Sequence, residues 1–256
     1  NIGIIYGEKA DLTKALGYYM NSKTIMDSLA LQKTVGYADL MMNIGIVYDN
    51  RDDPESALGY YVKSKTIMDS LDLQKTSGYA ELLMNMGIIY SKKGEIVSAL
   101  EYYIKSKAIM DSLGLQKTPG YADLMMNMGI IYSKKNDPES ALDYYIKSKI
   151  IMDSLGLQKT PCYADLINYM GIIYAKKGDF ENAMEGFMRS KAIRDNLGLP
   201  KNSDYALLMK NIGYVYKKQN KSLSGLYYIK ASEIYKSLGL HKDAEDAYIK
   251  AKDMDY

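Results

Sequence analysis

Residues 125–149 read MMNMGIIYSKKNDPESALDYYIKSK and contain two apolar patterns separated by a polar break. Met128 and Ile131 are three residues apart in the first part, and Ala141 and Tyr145 are four apart in the second. Such intervals bring side chains to one face of an α-helix, because a helical turn takes 3.6 residues. The stretch therefore predicts two amphipathic helices joined by a short connection.

Residues at the ends of the two patterns support the same helix boundaries. Thr118 is a favourable N-cap for the first helix, and Pro119 suits its first turn. Asp137 and Pro138 repeat this combination for the second helix, and Gly156 can end that helix with left-handed backbone. The buried faces are predicted to contain Tyr121, Leu124, Met125, Met128, Ile131 and Tyr132 in the first helix, and Ala141, Tyr145, Ser148, Met152 and Leu155 in the second.

The same pattern recurs every 42 residues, and the segments 79–120 and 121–162 differ at nine of 42 positions. No insertion interrupts the register up to about Leu240. A glycine marks each repeat at Gly3, Gly45, Gly87, Gly129, Gly171 and Gly213. An alanine follows at Ala15, Ala57, Ala99, Ala141 and Ala183, and Gly225 takes the next place. Helix pairs with one apolar face each bury that face by stacking on their neighbours, which predicts a solenoid.

The repeated segment resembles the tetratricopeptide repeat. Its signature positions are filled by Met128, Gly129 and Tyr132 in the first helix and by Ala141 and Tyr145 in the second. Asn127 matches a frequent asparagine, which we interpret as a packing residue within the stack. The period of 42 exceeds the usual 34 and resembles kinesin light chain and bacterial regulatory arrays. The proline that usually ends the second helix is replaced by Asp111, Asp153 or Asp195.

The resemblance implies an all-α fold, a right-handed α-solenoid superhelix of stacked antiparallel helix pairs. We expect a single array made of a partial repeat 1–36, the repeats 37–78, 79–120, 121–162, 163–204 and 205–240, and a C-terminal capping helix 241–256. Asn1 corresponds to Asn43, so the chain is expected to begin within a helix and to be a fragment of a larger protein. Such an incomplete end would expose apolar surface and favour self-association.

The resemblance also implies a concave groove, lined by the first helices, that binds extended peptides or helices. Carried over by position, the groove residues are Asp39, Met42 and Ile46; Glu81, Met84 and Ile88; Asp123, Met126 and Ile130; and Asp165, Asn168 and Ile172. Asp49, Ser91, Ser133 and Ala175 continue the same face. Methionine suits adaptable apolar surfaces, and the acidic edge favours a basic or amphipathic partner. The alternative is that the methionines and isoleucines are core residues.

The last repeat departs from this pattern, since it carries Leu207, Lys210 and Tyr214 at the groove positions, followed by Lys217 and Lys218. A groove that is acidic along most of its length would become basic at this end. One interpretation is a site for a carboxylate, as lysine clamps provide in some relatives. The other is a solvated terminal face.

Composition excludes several classes of function. Lys and Arg exceed Asp and Glu by two, which gives no reason to expect nucleic acid as the partner. Cys162 and His241 are the only residues of their types, so neither a disulfide within the chain nor a metal site is expected. No phosphate-binding or catalytic motif occurs, which predicts no cofactor and no enzymatic activity. No apolar run approaches the ~20 residues of a membrane span, and we expect no membrane partner and a cytoplasmic location.

The sequence thus predicts a scaffold or sensor module that binds a peptide or helical segment in its groove. Two alternatives remain open. One is a regulatory segment of a larger signalling enzyme, and the other is a structural array that assembles end to end.

Overall fold

The computed structural model describes residues 11–217 and 219–254, so part of the predicted repeat 1–36, Lys218 and the last two residues lie outside the described residues. The chain forms two compact bodies, Asn1–Lys135 and Asn136–Tyr256. The N-terminal body contains α1 (Leu12–Ser28), α2 (Val35–Asn50), α3 (Pro54–Ser70), α4 (Ser77–Lys92), α5 (Ile96–Ser112) and α6 (Pro119–Lys134). The C-terminal body contains α7 (Pro138–Ser154), α8 (Pro161–Lys176), α9 (Phe180–Asn196), α10 (Ser203–Tyr216), α11 (Lys221–Ser237) and α12 (His241–Lys252).

The helices pair as the repeat predicts, and the described residues contain no strand. In the N-terminal body, α2 packs on α3 and α4 on α5 as antiparallel pairs, and each second helix contacts the next first helix. The C-terminal body pairs α8 with α9 and α10 with α11 in the same way. The predicted all-α class of stacked helix pairs is therefore confirmed. The organisation as a single array stays a prediction.

The predicted helix boundaries are also confirmed in repeat 121–162. The side chain of Thr118 accepts a hydrogen bond from the Tyr121 amide, and Pro119 occupies the first turn of α6. Asp137 caps α7 in the same manner, and Gly156 follows that helix with a φ of 71°. The predicted buried face of α7 is correct except for Leu155, which caps the helix and is 38% exposed.

The helix pairs are held together by a large ring that packs against a glycine. A Cβ on Gly45 would lie 2.5 Å from the Tyr61 ring, and a Cβ on Gly87 would lie at the same distance from Tyr103. Both rings are almost completely buried. The glycines therefore permit the close approach of the two helices, because any side chain there would overlap the ring.

Consecutive repeats are joined by a tyrosine–aspartate hydrogen bond. The Tyr79 hydroxyl donates to Asp69 Oδ1 at 2.7 Å, and Lys65 Nζ lies 2.6 Å from the other carboxylate oxygen. Burial raises the pKa of Asp69, but the hydrogen bonds from Lys65 and Tyr79 outweigh it and hold the pKa below its ordinary value. The same tyrosine–aspartate bond links Tyr37 to Asp27, Tyr121 to Asp111, Tyr163 to Asp153 and Tyr205 to Asp195. At the position where the family usually has proline, these aspartates thus hydrogen-bond each second helix to the first helix of the next repeat.

The last repeat has one residue fewer between its packing glycine and the small residue that faces it from the second helix. A Cβ on Gly171 would meet the Ala183 carbonyl oxygen at 3.2 Å, and a Cβ on Gly213 would meet that of Ser224 at 3.3 Å. Ser224 therefore takes the alanine position, and its hydroxyl donates to the Gly213 carbonyl at 2.7 Å. The predictions of an unbroken register and of Gly225 at this position were wrong. The first helix α10 ends at Tyr216, earlier than its siblings, and every residue of α11 is moved by one place.

The helix α12 covers α11 at the end of the described chain. The Ser232 hydroxyl donates to the Ala244 carbonyl at 2.7 Å, and Ala247 and Ala251 are buried. Small side chains at these positions let the two helices lie close together.

Candidate functional site

In each body, the first helices of successive repeats lie side by side and form one face, which we call the inner face. It consists of α2, α4 and α6 in the N-terminal body and of α8 and α10 in the C-terminal body. Lysines connect neighbouring repeats along it. Lys92 Nζ donates to Asp49 Oδ1 at 2.5 Å. Lys134 Nζ donates to the Ser91 carbonyl at 2.8 Å and to its hydroxyl at 3.0 Å. Asp49 and Ser91 were predicted to line the groove, and they are bonded within the protein.

The acids predicted for the groove lie on the inner face with different exposure. Asp39 and Glu81 are exposed, and Asp123 is half-buried. Desolvation raises the pKa of Asp39. Desolvation, followed by the nearby charge of Asp39, raises the pKa of Glu81. Desolvation disfavours the charged form of both carboxylates, and a cation placed between them would stabilise it.

The predicted methionine ladder is largely part of the core. Met42 and Met84 are only 8% and 9% exposed, and Met126 is half-buried. Asn168, at the methionine position, is 6% exposed, and its Oδ1 has no hydrogen-bond partner among the described residues. The isoleucines are half-buried in each repeat, namely Ile46, Ile88, Ile130 and Ile172. Any ligand on this face would contact isoleucine and acidic side chains more than methionine.

The fourth predicted acid, Asp165, is paired inside its own repeat. Arg194 forms an ion pair with it from the end of α9, where the siblings carry the buried residues Met110 and Met152. Arg194 is itself only 6% exposed. Burial raises the pKa of Asp165, and the Arg194 charge acts in the opposite direction. The sequence analysis missed this pair, although an arginine at a methionine position was a visible signal.

Two neighbouring cavities open on the inner face of the C-terminal body. The first, of about 200 Å³, is lined by Ile172, Ala175, Lys176, Phe187, Asn211 and Tyr214. The second, of about 390 Å³, is lined by Lys210, Asn211, Tyr214, Lys217, Tyr228, Lys250, Asp253 and Met254. Asn211 and Tyr214 line both cavities, so the two are adjacent, and we call them together the groove.

Three residues of the predicted basic end, Lys210, Tyr214 and Lys217, line the second cavity. Lys210 is half-buried and reaches Asp246 of α12 at 2.7 Å, while Lys250 approaches the same carboxylate at 2.8 Å. Tyr214 is 53% exposed, and its ring meets that of Phe180 edge-on, with centroids 6.2 Å apart. Lys250 was not predicted, because only the packing of α12 brings it to this cavity.

An asparagine on the first helix leaves an amide without a partner in both bodies. The buried Nδ2 of Asn211 has no hydrogen-bond acceptor among the described residues, and neither has that of Asn85. The two residues occupy the same position three repeats apart. An unsatisfied buried amide costs about 1–3 kcal/mol, and a ligand carbonyl could remove that cost. The sequence analysis had assigned this asparagine series, through Asn127, to packing.

Comparison with known proteins agrees with this architecture. Residues 78–148 match the family model of the tetratricopeptide repeat. The flanking residues continue the same 42-residue unit. The chain thus contains tetratricopeptide repeats (TPR) over this segment, and its helix pairs have the TPR fold. No curated protein matches it.

Solved structures similar to this TPR protein share its fold. BtubC (BKLC) from P. vanneervenii is 19% identical, with a TM-score of 0.62 over 96% of this chain and 88% of that one. RapI in its apo form is 15% identical, with a TM-score of 0.67 over 98% and 94%. The Rap conjugation gene regulator of plasmid pLS20, solved with the Phr* peptide, is 14% identical, with a TM-score of 0.68 over 99% and 71%.

The described residues hold no group of three or more His, Cys, Asp or Glu residues that could bind a metal ion. No described helix has both the length and the apolar character that a membrane crossing requires. Cys162 lies half-buried in the first turn of α8, and His241 begins α12. The predicted lack of enzymatic activity and the cytoplasmic location stay predictions.

Proposed function

We propose that this TPR protein binds a peptide whose C-terminal carboxylate lies in the groove of the C-terminal body. The observation that carries the proposal is the unpartnered Asn211 amide in a recess that Lys210, Lys217 and Lys250 border. A peptide carbonyl would accept from Asn211, and the lysine ammonium groups would bind the terminal carboxylate.

The lining of the groove favours a peptide over a compact ligand. Ile172 and Tyr214 supply apolar and aromatic surface beside the polar groups, which suits a side chain next to a main-chain carbonyl. The Rap regulator of similar fold was solved with a peptide, which supports this class of ligand.

The inner face of the N-terminal body favours a basic partner. Asp39 and Glu81 are exposed, and each has a raised pKa. A lysine or arginine between them would lower both pKa values by supplying the opposite charge. We infer that basic or amphipathic segments bind on this face. Self-association through the N-terminal end stays a prediction, because residues 1–10 lie outside the described residues.

The proposal is tested by selecting peptides from a random 12-residue library with free C-termini, using the complete 256-residue chain as bait. The affinity of each selected peptide is then compared with that of its C-terminal amide. Amidation should weaken binding about 10- to 100-fold, since a hydrogen bond to a charged group contributes about 1.5–3 kcal/mol. Equal affinity of acid and amide would contradict the carboxylate site.

Matched variants separate the groove from general charge effects. Lys217→Ala with Lys250→Ala should reproduce the loss caused by amidation, and Asn211→Ala should weaken both peptide forms. Lys147→Ala is the control, because Lys147 pairs with Asp143 on the exposed surface of α7, and binding should not change. An equal loss in the control would indicate non-specific attraction.

A further inference from the structure

A recurring aromatic arrangement joins the two helices of a repeat. A tyrosine of the second helix lies between a tyrosine of the first helix and a lysine one turn further on. Examples among the described residues are Tyr48–Tyr60–Lys63, Tyr90–Tyr102–Lys105 and Tyr216–Tyr227–Lys230, with ring centroids 5.4, 5.2 and 5.7 Å apart and the lysine nitrogen 4.7, 5.7 and 5.2 Å from the second ring. The central ring thus gains a stacking contact and a cation–π contact.

Repeat 163–204 keeps the two outer groups and lacks the central ring. Gly186 stands where the siblings have the central tyrosine, while Tyr174 and Arg189 take the outer positions. The Arg189 guanidinium lies instead over the ring of Tyr163, 5.4 Å from its centroid. Tyr174, Gly186 and Arg189 all line a cavity of about 160 Å³, which we call the ring cavity.

The ring cavity has about the volume that one aromatic ring needs, since a cavity of about 150 Å³ can bind benzene. Its lining is mixed: Met170 and Tyr174 are apolar, whereas Lys149 and Arg189 are charged. A Cβ on Gly186 would meet the Ile167 carbonyl oxygen at 3.1 Å and the Cα of Gly171 at 3.4 Å, so backbone atoms of α8 form one side. Met170 adds apolar surface. Backbone walls cannot swing into the space as side chains do.

Two sibling repeats indicate where the oxygen of a phenol in the ring cavity would lie, because a lysine is near the tyrosine hydroxyl in both of them. In two sibling repeats, desolvation raises the pKa of Tyr60 and of Tyr102, while the charge of Lys23 or Lys65 acts to lower it. Each of these lysines lies on the second helix of the preceding repeat. Lys149 holds the corresponding position and lines the ring cavity.

We propose that the ring cavity binds a phenol ring supplied by a ligand, stacked on Tyr174 with its oxygen towards Lys149. The ring takes the place of the missing tyrosine, and it comes either from a free phenol or from a tyrosine residue of a bound chain. The ring cavity shares no lining residue with the groove, so the two proposals stand or fall separately.

The test uses the ¹H–¹⁵N spectrum of the complete chain, with the Gly186 amide as reporter. p-Cresol represents the free phenol, N-acetyltyrosinamide represents a tyrosine residue, and 4-methylcyclohexanol is the control without a π face. p-Cresol should shift the Gly186 signal in a saturable manner, and 4-methylcyclohexanol should not. Binding of N-acetyltyrosinamide as well assigns the site to a tyrosine residue, and its failure assigns the site to a free phenol. No saturable shift with either phenol would overturn the proposal.

Variants locate the bound ring. Tyr174→Leu should weaken p-cresol about 3- to 10-fold through loss of the stacking contact, whereas Tyr174→Phe should retain it. Gly186→Tyr should prevent binding by filling the cavity. Because its Cβ would lie 3.1 Å from the Ile167 carbonyl oxygen, circular dichroism and urea denaturation check that this variant still folds. Tyr90→Leu is the matched control, because the ring of Tyr102 already occupies that site. Equal binding by the wild type and Tyr174→Leu would contradict the proposed position.

Discussion

Repeats 79–120 and 163–204 share two contacts that fix their helices, a glycine–ring contact and a tyrosine–aspartate hydrogen bond, which we call the frame. They differ in the residues around these contacts. In the first, Tyr103 packs against Gly87, and in the second Phe187 packs against Gly171. Each repeat also ends in an aspartate that accepts from the next tyrosine. The contacts that set the distance between helices are thus kept in both.

Repeat 163–204 has different residues at two positions around this frame where repeat 79–120 has large apolar side chains. Met110 gives way to Arg194, and Tyr102 gives way to Gly186. One change introduces a buried charge, and the other opens the ring cavity. Changes outside these contacts thus create a polar site and an empty site while the glycine–ring and tyrosine–aspartate contacts are kept. Four experiments sharpen the difference between the two repeats.

The largest effect should come from the frame itself. Gly87→Ala would place a Cβ 2.5 Å from the Tyr103 ring, whereas in Gly213→Ala the nearest atom lies at 3.3 Å. We expect Gly87→Ala to lower the free energy of unfolding by about 2–3 kcal/mol, since overpacking costs about 1–3 kcal/mol. Gly171→Ala should cost less, and Gly213→Ala least. Urea denaturation followed by circular dichroism measures the series, and equal losses would contradict the close-approach account.

The next effect concerns the buried charge. Arg194→Ala should lower the free energy of unfolding by about 1–3 kcal/mol, below the 3–5 kcal/mol of a fully buried pair because Asp165 is 39% exposed. Arg194→Met should cost less than Arg194→Ala, because the siblings carry methionine there and its side chain fills the space.

The pH dependence of Arg194→Met gives the same experiment a second readout. The folded-state pKa of Asp165 is already raised by burial, and loss of the arginine raises it further. A raised carboxyl pKa makes the fold more stable below that pKa, and this stability is lost as the pH rises through it. The melting temperature of Arg194→Met should therefore fall more than that of the wild type between pH 4 and pH 7. Parallel curves would contradict the pairing.

A smaller effect is expected at the junction that both repeats share. Tyr121→Phe and Tyr205→Phe each remove a hydrogen bond to an aspartate, of 2.7 and 2.6 Å. Each should cost about 1 kcal/mol. Burial raises the pKa of Asp111, but Lys107 and Tyr121 hold it below its ordinary value of 3.8. The stability from this group is present above pH 3.8 and lost as the pH falls through the folded pKa, so the variants should differ least from the wild type in acid.

The smallest effect separates two buried serines at one repeat position. Ser106 donates to the Ala80 carbonyl at 2.7 Å, whereas the Ser190 hydroxyl has no partner among the described residues. Ser106→Ala should cost about 0.5–1.5 kcal/mol. Ser190→Ala should be neutral or slightly stabilising, because it removes an unsatisfied hydroxyl. Thermal melts of the two variants compare them directly, and a larger loss in Ser190→Ala would be the contrary result.

The sequence predicts the helix pairs well because their determinants are local. Caps such as Thr118 and the apolar spacing act within a few residues, and the 42-residue period repeats them. The one-residue shift of α11 could not be predicted from the pattern, because Ser224 and Gly225 are both small. The Arg194 pair and the contribution of Lys250 to the groove depend on packing between helices. The burial of Met42 and Met84 also depends on packing against neighbouring repeats, so it could not be predicted from local sequence.

The most direct test of the central claim is the structure of this TPR protein with a peptide selected for its free C-terminus. We predict a terminal carboxylate within hydrogen-bond distance of Lys217 and Lys250, and a main-chain carbonyl accepting from Asn211. A peptide that binds away from the inner face, with Asn211 still unpartnered, would contradict the account.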